Sequence, residues 1–173
     1  IDEGVRIRAI KELSGVVFSM NDQGFGRADI DRLVLLQRQE AGGFKNIGAD
    51  QWTENYPYFV ADAEKSSVDE FLSWETDIYI PSAKENSVDE KTVMGHRDTP
   101  GGEIKGELKA MILIEGANGA VTSKASDILL KDGRMLVIPD SLANAGGVTV
   151  SYLESMQNLN NLRWSSDDIR ADL

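Results

Sequence analysis

Two segments of the sequence combine glycines with an asparagine amide shortly after a run of apolar residues. Glu115-Gly116-Ala117-Asn118-Gly119 follows the apolar residues 111–114, and Asn144-Ala145-Gly146-Gly147 comes after residues 135–138. Glycines let backbone amides approach a flat or phosphorylated ligand closely. The side-chain amides of Asn118 and Asn144 each offer a donor and an acceptor, which suits a ribose hydroxyl or a carboxamide. Either segment alone is equally well explained by a tight turn and a helix cap, but together they predict a ligand-binding edge.

The elements that would position these segments alternate between strand and helix. Short apolar runs predict strands at residues 16–20, 56–60, 77–81, 111–114 and 135–139. Amphipathic patterns and caps predict helices at residues 5–13, 30–40, 66–72, 123–130 and 145–160, and a last one from residue 165. Such alternation is typical of parallel strands that are covered on both faces. We therefore expect one α/β domain over residues 1–173, with a Rossmann-like, doubly wound, mostly parallel sheet and C-terminal helices from about residue 144.

The composition of the chain limits its partners. It has 173 residues, 41% of them hydrophobic and 27% charged, a balance typical of a globular protein. The net charge of −11 would repel a nucleic-acid backbone, so nucleic acid is not an expected partner. No stretch approaches the roughly 20 apolar residues of a membrane span, and the first residues lack a signal-peptide pattern. We expect a cytoplasmic protein, or one of the mitochondrial matrix or plastid if the source is eukaryotic.

The sequence offers few residues for autonomous catalysis. It has no cysteine, which excludes disulfides and thiolate chemistry, and a single histidine, His96, within the glycine-rich residues 94–108. We expect these residues to form a loop or insertion and His96 to be exposed to solvent, because one histidine does not favour a metal site or a triad. Ser87 and Glu90 have the spacing of a capping box, which predicts another short helix at this point. We predict no catalytic residue and no metal site in this chain.

At the two strand-end segments the sequence resembles a known family. EGANG (residues 115–119) and IPDSLANAGGVTVSYLE (residues 138–154) resemble the C-terminal nucleotide-binding domain of the glutamate/leucine/phenylalanine/valine dehydrogenases. The form NAGGVTVSY is more similar to glutamate dehydrogenases than to the leucine or phenylalanine branch. Residues 77–86, DIYIPSAKEN, are similar to the family's DILIPAALEN segment. The resemblance covers nearly the whole chain and is strongest from residue 77 to residue 160.

The resemblance implies roles for individual residues. The cofactor, NAD or NADP, would contact residues at the strand ends: Asn118 and Asn144 at the nicotinamide ribose or carboxamide, Gly116 and Ala117 beside them, and Ser82 and Ala83 along the adenosine side. Val148 and Ser151 would face the amino-acid substrate. Ser151 would form a hydrogen bond with the side-chain carboxylate of glutamate.

A domain of this kind should begin with a strand and a Gly-x-Gly-x-x-Gly fingerprint that binds pyrophosphate at a helix N-terminus. Gln23-Gly24-Phe25-Gly26 follows a predicted strand, but the third glycine would then fall at Asp29, whose carboxylate repels pyrophosphate. The favoured alternative makes Gly4 the third glycine, at the start of the predicted helix over residues 5–13. The first strand is then missing. Asn21 and Asp22 end the second strand, where an acidic residue binds the adenosine ribose of NAD and disfavours NADP.

The family carries its catalytic lysine and aspartate in a separate N-terminal domain, to which no segment here corresponds. The leading hypothesis is the NAD(P)-binding domain of a glutamate dehydrogenase-type enzyme, inactive alone, which deaminates L-glutamate oxidatively to 2-oxoglutarate and ammonia. Its implied partners are that substrate, an N-terminal catalytic domain or subunit, and further copies in a homo-oligomer such as a hexamer. The alternative is a non-catalytic structural or regulatory homologue that has lost dinucleotide binding. A recombinant or designed chain without natural activity is a third hypothesis.

Overall fold

The computed structural model describes residues 4–12, 15–19, 24–39, 59–60, 65–161 and 163–171. By its internal contacts the chain divides into two units, one of Ile1–Glu75 with Met94–Lys109 and one of Thr76–Val93 with Ala110–Leu173. That all 173 residues form a single domain stays a prediction. Within the described ranges, no helix is long and apolar enough to cross a membrane.

The first unit contains an antiparallel sheet that the sequence did not predict. Its strands β1 (Ala9–Lys11), β2 (Val16–Phe18) and β3 (Phe59–Val60) lie in the order β1-β2-β3. The helices of this unit are α1 (Arg27–Gln39) and α2 (Lys65–Ser73), close to the predicted positions. All three residues of β2 are buried, and the Phe18 ring meets the Trp74 ring edge-on with 4.7 Å between centroids. The core of this unit therefore lies around β2.

The predicted helix at residues 5–13 is wrong. Its described part is extended, because Ala9 pairs with Phe18 in the antiparallel ladder and Ile7 bridges to Phe25. Residues 5–9 read Val-Arg-Ile-Arg-Ala, an alternation with the period of a strand. Ile7 and Ile10 pack against a buried cluster of Val17, Phe25 and Leu33. The apolar residues that predicted a helix are thus also compatible with a strand. Pairing with β2 determines which conformation forms.

Residues 94–108 extend the first unit as a hairpin. His96 and Lys105 exchange backbone hydrogen bonds of 2.8 and 2.9 Å, and Lys105 Nζ lies 2.8 Å from Asp98 Oδ2. The His96 side chain is only 21% exposed, with Nε2 3.3 Å from Asp69 Oδ2 on α2. The expectation of a solvent-exposed histidine is therefore wrong, because the hairpin places its imidazole against a helix.

The second unit is built on three apolar runs that predicted strands. β4 (Thr76–Tyr79), β5 (Ala110–Ile114) and β6 (Leu136–Ile138) form a parallel sheet in the order β4-β5-β6. Ile78, Ile112 and Leu136 are register partners across it. The helices that follow in chain order are α3 (Glu90–Met94), α4 (Ser123–Asp132), α5 (Asp140–Ala143), α6 (Gly146–Asn160) and α7 (Ser166–Ala171). Parallel strands with intervening helices confirm the predicted α/β, Rossmann-like fold class.

Local sequence signals explain where the best-defined helix of the second unit starts and stops. The Thr122 hydroxyl accepts a hydrogen bond from the Ala125 amide, which caps the start of α4. Gly133 ends the helix with a left-handed φ of 64° and donates its N–H to the Leu129 carbonyl. The capped helix buries Ala125 and Leu129, and other buried apolar residues of this unit include Val88, Val93 and Leu113.

A short helix forms where the capping box predicted one, but α3 starts at Glu90 and its cap is Asp89 rather than Ser87. Asp89 Oδ1 accepts hydrogen bonds from both the amide and the hydroxyl of Thr92, each at 2.9 Å. Partial burial raises the pKa of Asp89, but these two bonds and the neighbouring Lys91 outweigh it and hold the pKa below its ordinary value. The cap therefore stabilises the folded chain in its ionised form.

Replacing Asp89 with alanine is expected to lower the free energy of unfolding by about 1 kcal/mol at neutral pH, the usual effect of losing a helix cap. Because the folded pKa is depressed, this contribution is complete above the unfolded value of about 3.9 and disappears as pH falls through the folded value. Hydrogen exchange of the β5 amides at neutral and acidic pH would measure it, with Asp127→Ala as the charge-matched control. An equal difference between wild type and Asp89→Ala at both pH values would contradict the assignment.

Candidate functional site

The loops that follow the three parallel strands converge at the carboxyl edge of the sheet. The Ala117 N–H donates to the Pro81 carbonyl at 2.9 Å, which joins the loop after β5 to the end of β4. The Glu115 N–H donates to the Ile138 carbonyl at 3.0 Å, which joins the same loop to the end of β6. This is the edge at which open parallel sheets bind their ligands.

Asn118 and Asn144 meet at this edge, as the sequence suggested. Asn144 Nδ2 donates to Asn118 Oδ1 at 2.8 Å and also lies 3.4 Å from the Gly116 carbonyl oxygen. Within the described chain no hydrogen bond engages Asn118 Nδ2 or Asn144 Oδ1. The pair therefore presents one unused donor beside one unused acceptor.

Gly116 allows the ends of β4 and β5 to approach closely. A Cβ atom at this position would overlap the Ser82 hydroxyl oxygen and lie 3.2 Å from Ile80 Cγ2. Ser82 and its neighbour Ala83 are both exposed, and the Ser82 hydroxyl is 3.5 Å from the Ile80 carbonyl oxygen. Gly116, Ala117 and Ser82 are thus neighbours, next to the asparagine pair.

The loop after β5 is held by two carboxylates that the sequence reasoning did not select. Gly119 N–H donates to Asp140 Oδ2 at 2.8 Å, and Val121 N–H donates to Glu115 Oε2 at 3.0 Å. The Gly119 amide, expected to face a ligand, is therefore engaged within the chain. The signal that could have identified these residues is an acidic side chain at each of two adjacent strand ends.

The residues expected at the substrate lie on the first turns of α6. Val148 is 71% exposed, and Ser151 is exposed, with its carbonyl accepting a hydrogen bond from the Ser155 hydroxyl at 2.9 Å. In the described chain no hydrogen bond connects either residue to the asparagine pair. Added Cβ atoms at Gly146 and Gly147 would meet nothing within 4 Å, so open space lies beside the start of this helix.

Neither glycine segment proposed as a phosphate fingerprint provides an open helix start. The described residues after Gly4 are extended, so the register that begins a helix there is not supported. At the other segment, Gly24 adopts a φ of 74° and an added Cβ would lie 2.6 Å from the Ile7 carbonyl oxygen. The Gly26 N–H, just before α1, donates to Asp29 Oδ2 at 2.6 Å. Asn21 and Asp22 lie outside the described residues.

Comparison with known proteins identifies relatives over the whole length of the chain. The model of the Glutamate/Leucine/Phenylalanine/Valine dehydrogenase family matches residues 1–173. NADP-specific glutamate dehydrogenase A1 of Halobacterium salinarum is 30% identical over 172 residues, which cover 99% of this chain and 34% of that protein. A glutamate dehydrogenase of Thermotoga maritima is 31% identical over 170 residues, 98% of this chain and 33% of that protein. The chain thus spans about a third of the length of these relatives.

A third relative and one solved structure add to this comparison. The NAD-specific glutamate dehydrogenase of Clostridioides difficile is 38% identical over 107 residues, 62% of this chain and 22% of that protein. The hetero-hexameric glutamate dehydrogenase of Thermus thermophilus, in a leucine-bound form, superposes with a TM-score of 0.66 at 23% identity, covering 99% of this chain and 32% of that one. At this identity the structural likeness shows the fold alone.

The parallel sheet and its strand-end loops define an α/β protein of the Rossmann-like class. The sequence matches define its family more narrowly. The chain belongs to the Glutamate/Leucine/Phenylalanine/Valine dehydrogenase family, and its resemblance to the glutamate dehydrogenases is confirmed.

Proposed function

We propose that this chain is the NAD(P)-binding part of a glutamate dehydrogenase-type oxidoreductase, which converts L-glutamate to 2-oxoglutarate and ammonia. The observation that carries the proposal is the Asn118–Asn144 pair at the carboxyl edge of the parallel sheet. Membership of the dehydrogenase family supports the class of reaction.

The asparagine pair suits a carboxamide or a ribose hydroxyl. The 2.8 Å bond between the two side chains fixes the orientation of both amides. As a result, Asn118 Nδ2 remains available as a donor and Asn144 Oδ1 as an acceptor. A nicotinamide carboxamide has one carbonyl oxygen and one amino group, and it is satisfied by this combination. The resemblance to the dehydrogenase family assigns these asparagines to the nicotinamide end, which is therefore the half of the dinucleotide that we propose the pair would bind.

The end of the adjacent strand, β4, would bind the adenosine half of the dinucleotide. Gly116 and Ala117 lie between the asparagine pair and the exposed Ser82 and Ala83, which would line the adenosine side. Both forms of the cofactor stay open, since one relative is NADP-specific and another is NAD-specific. The resemblance would place Asn21 and Asp22 at the adenosine ribose, where they would favour NAD, but only in the register with Gly4 as the third glycine, which the extended residues after Gly4 do not support.

Amino-acid oxidation requires the cofactor and substrate to be held together in near-attack geometry. Asn118 and Asn144 would hold the nicotinamide, which would supply the hydride acceptor for the glutamate Cα, and water would complete the conversion to 2-oxoglutarate and ammonia. Val148 and Ser151 would face the substrate, with the Ser151 hydroxyl bonded to its side-chain carboxylate. We assign the base to a separate N-terminal catalytic domain or subunit, so this chain would be inactive alone.

The intact enzyme would be a cytoplasmic oligomer, or one of the mitochondrial matrix or plastid in a eukaryote. The hetero-hexameric state of the Thermus thermophilus relative supports an oligomeric assembly. Our proposal is a homo-oligomer such as a hexamer.

One observation favours a second candidate, a non-catalytic structural or regulatory homologue that has lost dinucleotide binding. In the described chain, Gly4 does not open a helix and the Gly26 amide is bonded to Asp29. Pyrophosphate is normally bound by unengaged amides at a helix N-terminus. A chain without them would lose a main contact to the cofactor.

Calorimetric titration of the 173-residue chain with NADH and NADPH would separate the two candidates. The proposed function predicts binding of at least one dinucleotide, and about tenfold weaker binding of ADP, which lacks the nicotinamide that the asparagine pair would bind. Absence of binding to both dinucleotides would favour the non-catalytic homologue. Equal affinity for ADP and the dinucleotide would exclude a role of the asparagine pair.

A further inference from the structure

The loop between β5 and α4 carries Asn118 to the ligand edge, and its shape decides where that amide points. It turns at Gly119, which has a φ of 56°, buries Ala120, and is paired with residues 86–88 through backbone hydrogen bonds of Gly119, Ala120 and Thr122. The Gly119 and Val121 amides flank Asn118 on its C-terminal side, and both donate to carboxylates. Hydrogen bonds to a carboxylate are stronger than those to a neutral acceptor.

We infer that Asp140 and Glu115 are positioning residues that hold this loop so that the Asn118 amide faces Asn144. The inference rests on the proposed function for its ligand, a nicotinamide dinucleotide. Its structural part, that the two carboxylates order the loop, is independent of that ligand.

Asp140 connects both members of the asparagine pair. Its Oδ2 accepts the Gly119 N–H at 2.8 Å, and its backbone carbonyl accepts the Asn144 N–H at 2.9 Å. The other carboxylate oxygen accepts the Ser141 N–H at 2.6 Å, which fixes the side chain on its own helix, α5. One residue thus links the two loops that bring the amides together.

Glu115 holds the other end of the loop from a buried position. Its side chain is at the end of β5, the residue is only 8% exposed, and its Oε2 accepts the Val121 N–H at 3.0 Å. Burial of a carboxylate is unfavourable unless hydrogen bonds compensate it. An apolar side chain would fill the same volume at less cost, but it would leave the Val121 amide without this acceptor. The hydrogen bond to the Val121 amide, which closes the loop, therefore explains why a carboxylate is buried at this position.

Four variants of the 173-residue chain test the inference. Asp140→Ala and Glu115→Met remove one acceptor each, and Asp140→Asn retains an acceptor oxygen without the charge. Asp127→Ala, at an exposed position on α4, is the control for loss of one negative charge. Amide hydrogen exchange by NMR would follow Gly119, Val121 and, as an internal reference, Leu113 in β5. Calorimetry with NADH and NADPH would give the dissociation constants.

Asp140→Ala is expected to accelerate exchange at Gly119 by about tenfold or more and to raise the dinucleotide Kd about tenfold, with Leu113 unaffected. Glu115→Met should accelerate exchange at Val121 in the same way. Asp140→Asn should restore most of the affinity, because its amide oxygen still accepts the Gly119 N–H. A purely structural role would change Leu113 together with the loop.

Unchanged exchange at Gly119 in Asp140→Ala would overturn the inference. Dissociation constants of Asp140→Ala and Glu115→Met equal to that of Asp127→Ala would also overturn the inference. If Glu115→Met does not fold, the exchange rates and dissociation constants of Asp140→Ala and Asp140→Asn are sufficient to test the inference. Failure of the wild type to bind either dinucleotide would count against the proposed function only, since the exchange rates would still show whether the carboxylates hold the loop.

Discussion

Asn144→Ala is expected to weaken dinucleotide binding by roughly thirtyfold, or about 2 kcal/mol. The change removes the acceptor that would bind the carboxamide amino group. It also removes the donor that holds Asn118 Oδ1 at 2.8 Å, so the Asn118 amide can rotate away from the orientation that suits a ligand. The loss should therefore exceed that of a single hydrogen bond.

Calorimetric titration with NADH and NADPH measures this effect, and Asn158→Ala is the matched control. Asn158 is an exposed asparagine of α6, so its replacement should leave the dinucleotide Kd within about twofold of the wild-type value. ADP should bind Asn144→Ala as it binds the wild type, because ADP has no nicotinamide. If Asn144→Ala lost affinity for ADP as strongly as for the dinucleotide, the asparagine pair would not be the nicotinamide subsite.

The asparagine pair could be predicted because one topological rule connects sequence to space. Asn118 and Asn144 are separated by 26 positions, and nothing local links them. Both follow apolar runs that become adjacent parallel strands, β5 and β6, whose carboxyl ends meet at one edge. The rule needs the direction of the strands and their adjacency: the alternation of strands and helices predicted the parallel direction, and the structure shows that β5 and β6 are neighbours.

Asp140 and Glu115 could not be selected in the same way. Their functionally interesting contacts are side-chain bonds to the backbone amides of Gly119 and Val121. Such bonds depend on the path of a five-residue turn, and no hydrophobic period reports that path. The signal that they leave in the sequence, an acidic residue at each of two adjacent strand ends, does not specify which amides the carboxylates accept from.

The first unit shows the limit of periodicity itself. Val5, Ala9 and Leu13 recur at the spacing of a helix, whereas Val5, Ile7 and Ala9 alternate as in a strand. Antiparallel pairing of Ala9 with Phe18 provides partners for the backbone that a short helix would satisfy internally. The register that made Gly4 part of a phosphate fingerprint required this helix. Because the helix does not form, that register is not supported.

Some site residues stay predictions because they depend on the family resemblance and on a ligand. Val148 and Ser151 are exposed on α6, and Ala83 is exposed after β4. Exposure is compatible with binding but does not distinguish it from an ordinary surface. Asn21 and Asp22 lie outside the described residues, so the preference between NAD and NADP stays a prediction too.

Leu129→Ala is expected to lower the stability of the second unit by about 3 kcal/mol, within the usual range for a buried leucine. Leu129 is 1% exposed on the inner face of α4. Truncation removes three carbon atoms from a packed interior, and the loss combines their transfer to water with the cavity that remains. Because α4 leads away from the Asn118 loop, the same change should also loosen the ligand edge.

Leu130→Ala is the matched control, because this neighbouring leucine of the same helix is 76% exposed. It should change stability by no more than about 0.5 kcal/mol. Since the chain divides into two units, urea unfolding of the whole chain mixes their contributions. Hydrogen exchange at the β5 amides, which include that of the fully buried Leu113, reports on the second unit directly. Equal exchange rates at β5 in Leu129→Ala and Leu130→Ala would mean that α4 does not cover the parallel sheet, and the Rossmann-like packing of this unit would have to be reconsidered.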